Sequence, residues 1–273
     1  MGGVQVELAY VFGTKETSAS ILGFYGDEDS IFPWLKEYGY TAIEPFVRNP
    51  NLFNQVEFER KVEKSGLKIA AVGTGPMVSD HLTFTDKNPA VRLEAVKRVN
   101  EIIDFASIFQ VPVNIGKVRG DIHEELFIQS WQWMSEALNE VCAHADKVGV
   151  DIILEPQNKH NINNLNTTYE TMNLIKELRI PNLKMMIDVF HLAFEDYSIE
   201  KSLSLVKDQL LHVHLADSNR FAPGMGDFDF TYMIQLLEEI NYQGYLSLEV
   251  AAEKNRCKEA KDAAEFLYSI IHG

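Results

Sequence analysis

Short runs of β-branched and apolar residues alternate along this chain with longer stretches whose apolar residues recur at spacings of three and four. Parallel strands joined by crossover helices produce that pattern. Eight runs read as strands: VQVELAYVF (4–12), TAIEPFV (41–47), LKIAAVGT (67–74), VPVNIGK (111–117), DIILEP (151–156), LKMMIDV (183–189), QLLHVHLAD (209–217) and YLSLEVA (245–251). A helix-like stretch follows each, for example PAVRLEAVKRVNEIIDFASIF (89–109). Several runs are preceded by SGLK, KVGVD, RIPNLK or NYQGY, where Gly or Pro stops a helix before the next strand.

Eight βα units in 273 residues predict an α/β fold, a (β/α)8 TIM barrel. An open doubly wound sheet would more often carry a GxGxxG turn after its first strand, and here VFGTKETSAS has a single glycine. No Pro/Ser-rich linker or composition shift divides the chain, so one domain is expected over 1–273. Hydrophobic residues at 46% supply a large core. The 40 acidic and 25 basic residues leave a net charge of -15 without a local basic patch, which argues against nucleic acid and anionic membranes as partners. Cys142 and Cys257 form no CxxC pair and read as reduced structural thiols. MGGVQVELAY lacks a basic start and a long apolar run, and no stretch of about 18 apolar residues occurs, so a soluble cytoplasmic protein is the expectation.

Alternation along the strands is where chemistry emerges. In a barrel, alternate residues point inward and the C-terminal strand ends form the active site. Ile153 and Glu155 share one face, as do Met186 and Asp188, His212 and His214, and Ser247 and Glu249, while Leu154, Ile187, Val213 and Leu248 face the helices. Four consecutive strands thus aim Glu155, Asp188, His214 and Glu249 at one barrel mouth. Singly, a strand-end carboxylate more often caps a helix and a strand histidine is more often a bonded core residue. Caps and pairs have no reason to fall in phase on four strands, and three carboxylates with one imidazole in a partly dry pocket need a compensating cation. A divalent metal is the expected cofactor. This oxygen-rich set suits Mn²⁺, Mg²⁺ or Co²⁺, with Zn²⁺ and Fe²⁺ left open by ligand type.

ILEPQN, MIDVFH, HVHLADSNR followed by APGMGDFDF, and SLEV, in this order, resemble the xylose isomerase-like barrels, and within them the D-tagatose/D-psicose 3-epimerase group. LTFTDKNPAVRLEAVKRVNEII (82–103) and VNIGKVRG (113–120) are also similar, so the resemblance spans essentially the whole chain; ADSNRFAPGMGDFDF (216–230) is its most specific element. The resemblance implies that Glu155, Asp188, His214 and Glu249 ligate one divalent cation, commonly manganese, cobalt or magnesium. It implies that Glu155 and Glu249 double as the acid/base pair, and that His191 and Arg220 contact sugar oxygens. Barrels of this kind commonly pair into dimers or tetramers. Two departures stand out: EPQNKHN places Asn161 where the family often has a second glutamate, and Asp227 stands where PGxGH is frequent. An amide cannot carry the proton or the charge of that glutamate.

The expected function is a metal-dependent sugar isomerase, acting by C3 epimerisation of a ketose or ketose phosphate through an enediolate. Alternatives are an aldose–ketose or hydroxypyruvate-type isomerase and, more distantly, a metal-dependent phosphodiesterase on the same barrel. His212 is expected beneath His214 as its support, and Asp217 as an organiser of the following loop. Tyr10, Phe12 and Phe46 stand near strand ends where a sugar could stack, although packing is the commoner role, and Glu44 receives no role. The glycines of GMG (224–226) either cradle a phosphate or serve tight turns.

Overall fold

The computed structural model describes residues 6–18 and 20–273. Residues 4 and 5 of the first predicted strand, and the start MGGVQ, lie outside them. Eight parallel strands form the barrel: Glu7–Gly13, Ala42–Phe46, a third in two pieces (Lys68–Ile69 and Val72–Gly73), Val113–Ile115, Ile152–Leu154, Leu183–Asp188, Leu210–Leu215 and Tyr245–Leu248. Each pairs with its neighbours in sequence order, and the first pairs with both the eighth (Leu8 with Leu246) and the second (Ala9 with Ala42), which closes the barrel. A two-residue strand, Phe24–Tyr25, also lies beside the end of the first. The third strand breaks because its partner changes. Ala70 N donates to Ile43 O and Val72 N to Pro112 O, both at 2.9 Å, so the ladder passes from the second strand to the fourth within one pleat.

The helices start and stop where local chemistry dictates. Pro89–Phe109 matches its predicted span; Asn88 accepts from Ala90 N at 3.0 Å and Pro89 takes the first turn, where no amide is needed. Thr167 and Glu170 form a capping box ahead of Thr168–Leu178. Gly66 and Gly149 end their helices in the left-handed region, at φ 69° and 74°. Two helices, Val189–Glu195 and Ile199–Val206, follow the sixth strand. Among the described residues no helix is long and apolar enough to cross a membrane.

Burial separates two layers. Outward strand residues pack on the helices in one large core, in which Met134, Leu138 and Val141 of Phe127–Val148 recur at helical spacing; truncating Met134 or Leu138 to alanine costs about 2–5 kcal/mol. Inside the barrel are Ala9, Ala42 and Ala70 in one small cluster and Ala71, Ile153 and Met186 in another. The small interior residues leave the polar groups of the upper rim to fill the mouth. Tyr10 and Phe12 belong to the outer layer: Tyr10 packs on Phe24 and Tyr40, and Phe12 edge-on to Phe32 at 4.9 Å. The strand's pleat turns both away from the barrel mouth, so neither stacks on a bound sugar. Cys142 is buried and Cys257 exposed, and both are free thiols.

Candidate active site

Glu155, Asp188, His214 and Glu249 stand on one rim, at or one residue past the ladders of strands five to eight. Past the ladder proper, Glu155 N still donates to Ile115 O and Glu249 N to Leu215 O, each at 3.2 Å, which fixes both backbones. Each of the four side chains offers a ligand atom, and these atoms lie within 4.8 Å of one another. Asp188 serves two purposes at once. Its Oδ1 accepts from Phe190 N at 2.8 Å as the cap of Val189–Glu195, leaving Oδ2 for the cluster. Burial would raise this carboxyl, but Arg220, then His191 and His214, hold it well below the usual carboxylate range.

Glu44, on the second strand, received no role from the sequence and stands beneath the cluster. Fully buried, it accepts from His214 Nε2 at 2.9 Å and from His212 Nε2 at 2.8 Å. Burial would raise Glu44, yet the charges of His214 and His212 hold it well below the usual range; burial would lower His214, yet Glu44 holds it well above an ordinary imidazole. With Nε2 tied to a carboxylate, His214 turns Nδ1 toward the rim, 3.6 Å from Glu249 Oε2 and 3.9 Å from Asp188 Oδ2. His212 therefore lies under His214, both bound to the same carboxylate.

Glu155 is set by two amides, from Asn114 Nδ2 at 3.2 Å and Gln157 Nε2 at 2.8 Å, both on Oε2. A Cβ on Gly116 would come within 2.8 Å of both Gln157 Nε2 and Glu155 Oε2, so a larger residue here would push the carboxylate or its amide partner out of place. Oε1 is left without a hydrogen-bond partner among the described residues. Burial, then the charge of Glu249, push the Glu155 carboxyl up to about 7.

Arg220, in the loop after the seventh strand, reaches back into the cluster. Nη1 bonds Asp188 Oδ2 at 2.6 Å, Nη2 bonds Glu249 Oε2, and the guanidinium lies 4.9 Å over the Phe190 ring. It shares the rim with the carboxylates as well as facing the cavity. Asp217 organises that loop: its carboxylate accepts from the amides of Ser218, Gly224 and Phe228 at 2.8–3.0 Å. A Cβ on Gly226 would lie 2.4 Å from Asp217 Oδ1. The glycines of GMG thus serve the turn, and the Gly224 amide is committed to Asp217 rather than open to a phosphate.

His191 is buried beside the cluster, its Nδ1 2.8 Å from Asn158 Nδ2 and its Nε2 4.0 Å from Glu155 Oε1. Burial holds its pKa below the ordinary imidazole value. Asn161, where the resembled family often has glutamate, places Nδ2 3.4 Å from His191 Nε2 and lines the same cavity. That cavity, about 410 Å³, takes in Glu155, Glu249, His191, Arg220 and Phe46, a size that suits a small polar molecule.

The donor set fits a divalent cation. His214 Nδ1 and Glu155 Oε1 are both buried and unpartnered among the described residues, and both belong to the four-residue cluster. Such orphans are expensive unless a ligand satisfies them. A second group, Glu44, His212 and His214, also clusters, but its hydrogen bonds to one shared carboxylate account for it.

Comparison with known proteins agrees with this architecture. The family model described as "Xylose isomerase-like TIM barrel" matches residues 32–270. The 3-dehydro-D-guloside 4-epimerase of Escherichia coli K12 is 31% identical over 230 residues, covering 80% of this chain and 85% of the relative. A D-psicose 3-epimerase of Enterocloster bolteae is also 31% identical, over 254 residues, covering 91% of this chain and 83% of the relative. The crystal structure of a D-allulose 3-epimerase from Methylomonas sp. superposes with a TM-score of 0.81 at 19% identity, covering 99% of this chain and all of that one (100%). The chain belongs to the xylose isomerase-like TIM barrel family, among its epimerases.

Proposed function

We propose that this protein inverts a sugar carbon next to a carbonyl, C3 of a ketose, with Glu155, Asp188, His214 and Glu249 holding one divalent ion, Mn²⁺ foremost. When bound, such an ion supplies a Lewis acid for the carbonyl and adjacent hydroxyl oxygens and compensates the carboxylates. The proton work falls to the chain's own residues. Glu155 and Glu249 stand on strands five and eight with the sixth and seventh between them, so a sugar over the cluster has a carboxyl toward either face. One carboxylate takes the C3 proton, leaving an enediolate, and the other, protonated, returns a proton to the opposite face. The reverse reaction exchanges the roles. Arg220 and His191 adjoin the same cavity and orient the C1 and C2 oxygens, which fixes the carbon that meets the bases.

The observation that carries this reading is the pairing of Glu155 and Glu249 within one cluster of four ligand-bearing side chains, with Asp188 and His214 as its other members. Similarity to the 3-dehydro-D-guloside 4-epimerase favours a second version of the same chemistry, at C4 beside a C3 carbonyl. The test is a panel of ketoses, their phosphates and a 3-keto-glycoside in deuterated water, with metal-stripped protein and again after Mn²⁺ addition. Metal-dependent deuterium entry at C3 of a ketose supports the proposal, entry at C4 of the glycoside alone supports the second version, and no metal-dependent exchange anywhere refutes both.

A further inference from the structure

The cavity has two chemically different sides. Its inner side is the carboxylate cluster with Arg220 and His191. Its outer side comes from loops after the earlier strands and carries Thr17, Ser18, Ser20, Arg48, Ser79 and Lys117. Glu155 and Glu249 are the only acids among the described residues lining the cavity. In a chain of 40 acidic and 25 basic residues, an acid-free wall with two cations runs against the composition.

Neither cation is used up by the protein. Arg48 Nε is buried and has no hydrogen-bond partner among the described residues. Asp80 stands 4.0 Å from it, and that same carboxylate oxygen is held more closely, at 3.2 Å, by Arg98 Nη1. The Arg48 backbone is pinned at both ends: its amide donates to Glu16 Oε1 at 3.0 Å and its carbonyl accepts from Arg98 Nη1 at 3.2 Å. Lys117 opens the short turn Lys117–Arg119, which the buried Arg119 anchors through Gly116 O at 3.0 Å, and it forms no ion pair among the described residues. Ser79 sits on the turn Gly75–Asp80, on the loop that lies between those of Arg48 and Lys117 in barrel order.

We propose that the substrate carries a phosphate monoester at the end remote from its carbonyl, received by Arg48, Lys117 and Ser79. The inference rests on the epimerase reading above and names its substrate class. A phosphate brings charge to balance the two cations and oxygens enough for a guanidinium fork, an ammonium and a hydroxyl together. Neutral sugar hydroxyls would leave Lys117 without a counter-charge in a half-enclosed cavity, and Arg48 with only the Asp80 carboxylate that it shares with Arg98. The glycines of the loop after the seventh strand are not among the residues that line this cavity, and Asp217 already holds the Gly224 amide.

Two measurements test this independently of turnover and through it. In titration calorimetry with inorganic phosphate, the intact protein binds, and Arg48→Gln and Lys117→Met each weaken binding by about tenfold or more, the loss of one charge-assisted contact. Absence of saturable binding, or binding indifferent to both substitutions, overturns the proposal whatever the enzyme turns over. In the exchange assay with paired substrates, the wild type favours the ketose phosphate in kcat/KM over the free ketose and over a ketose ending in a carboxylate, and both variants lose that preference. A preference for the free sugar, or equal use of phosphate and carboxylate, overturns the phosphate assignment. Should no sugar exchange at all, the epimerase reading falls while calorimetry still decides the anion site.

Discussion

The carboxylate of Glu44 lies between two imidazoles, 2.8 Å from His212 Nε2 and 2.9 Å from His214 Nε2, at the centre of the barrel and beneath the rim cluster. That contact determines which nitrogen of His214 faces its neighbours on the rim. A carboxylate only accepts, so it fixes a proton on Nε2 and leaves Nδ1 to bind a cation. Glu44→Gln removes the charge and adds a donor, which lets Nε2 become the acceptor and moves the proton to Nδ1. The expected result is a loss of Mn²⁺ affinity of about 10- to 100-fold with the fold intact, read by calorimetric titration. Unchanged affinity would mean that the Glu44 contact supports packing alone.

Glu155 and Glu249 are assigned the proton transfers, so each must matter separately. Glu155→Gln and Glu249→Gln are each expected to lower kcat for C3 exchange by about 10²-fold or more, the scale of a lost general acid or base. Deuterium incorporation followed by proton NMR, at Mn²⁺ concentrations that saturate each variant, separates this loss from weakened metal binding. Either variant turning over at the wild-type rate would remove that residue from the mechanism.

Much of this was legible in the letters because the side-chain period of a strand is two. That period placed Glu155, Asp188, His214 and Glu249 in phase, and the helix between Asn88 and Gln110 announced itself by its apolar spacing. Glu44 was on the same inward face as Phe46 but stayed silent, because its partners are 168 and 170 residues away and only barrel closure brings them together. Asn114 and Gln157 were hidden differently. Amides are ordinary on any surface, and what singles these two out is that both bond one oxygen of Glu155. Tyr10 and Phe12 take the packing role that is commoner for strand-end aromatics, and stacking on a sugar stayed open for them only because position at a strand end says nothing about face until the pleat is anchored by neighbours.

Protonation and cation binding compete at this rim. Burial and the charge of Glu249 lift Glu155 to about 7, and the charge of Glu44 holds His214 above an ordinary imidazole despite its burial. A cation needs both groups deprotonated, so each bound proton opposes it. Mn²⁺ affinity is therefore expected to fall as pH drops below about 7, and uptake near neutrality should release protons. Calorimetry in two buffers of different ionisation enthalpy measures that release directly. Affinity that is flat from pH 8 to pH 6 would contradict the shifts at both residues.

Arg119 has no solvent exposure and no carboxylate partner among the described residues, yet every part of its guanidinium is used. Nε meets Asn164 Oδ1 at 3.1 Å, Nη1 meets Gly116 O at 3.0 Å and Glu155 O at 2.9 Å, and Nη2 meets Asn164 O at 3.1 Å. One side chain thus ties the loop after the fourth strand to the loop after the fifth and holds the backbone from which Glu155 projects. Burial pulls its pKa down to about 10, so it remains a cation at neutral pH. Arg119→Met relieves the cost of burying a charge but takes the donor from the carbonyls of Glu155 and Asn164 and from Asn164 Oδ1, while Gly116 O keeps the Arg119 amide at 3.2 Å; each acceptor left dry costs about 1–3 kcal/mol. The balance is a destabilisation of about 3 kcal/mol, seen as a drop of several degrees in Tm. Arg119→Lys keeps the charge and can reach fewer of the carbonyls, so its Tm should fall between the two. A methionine variant that melts with the wild type would show that water replaces the guanidinium, and the two loops would then owe their position to packing.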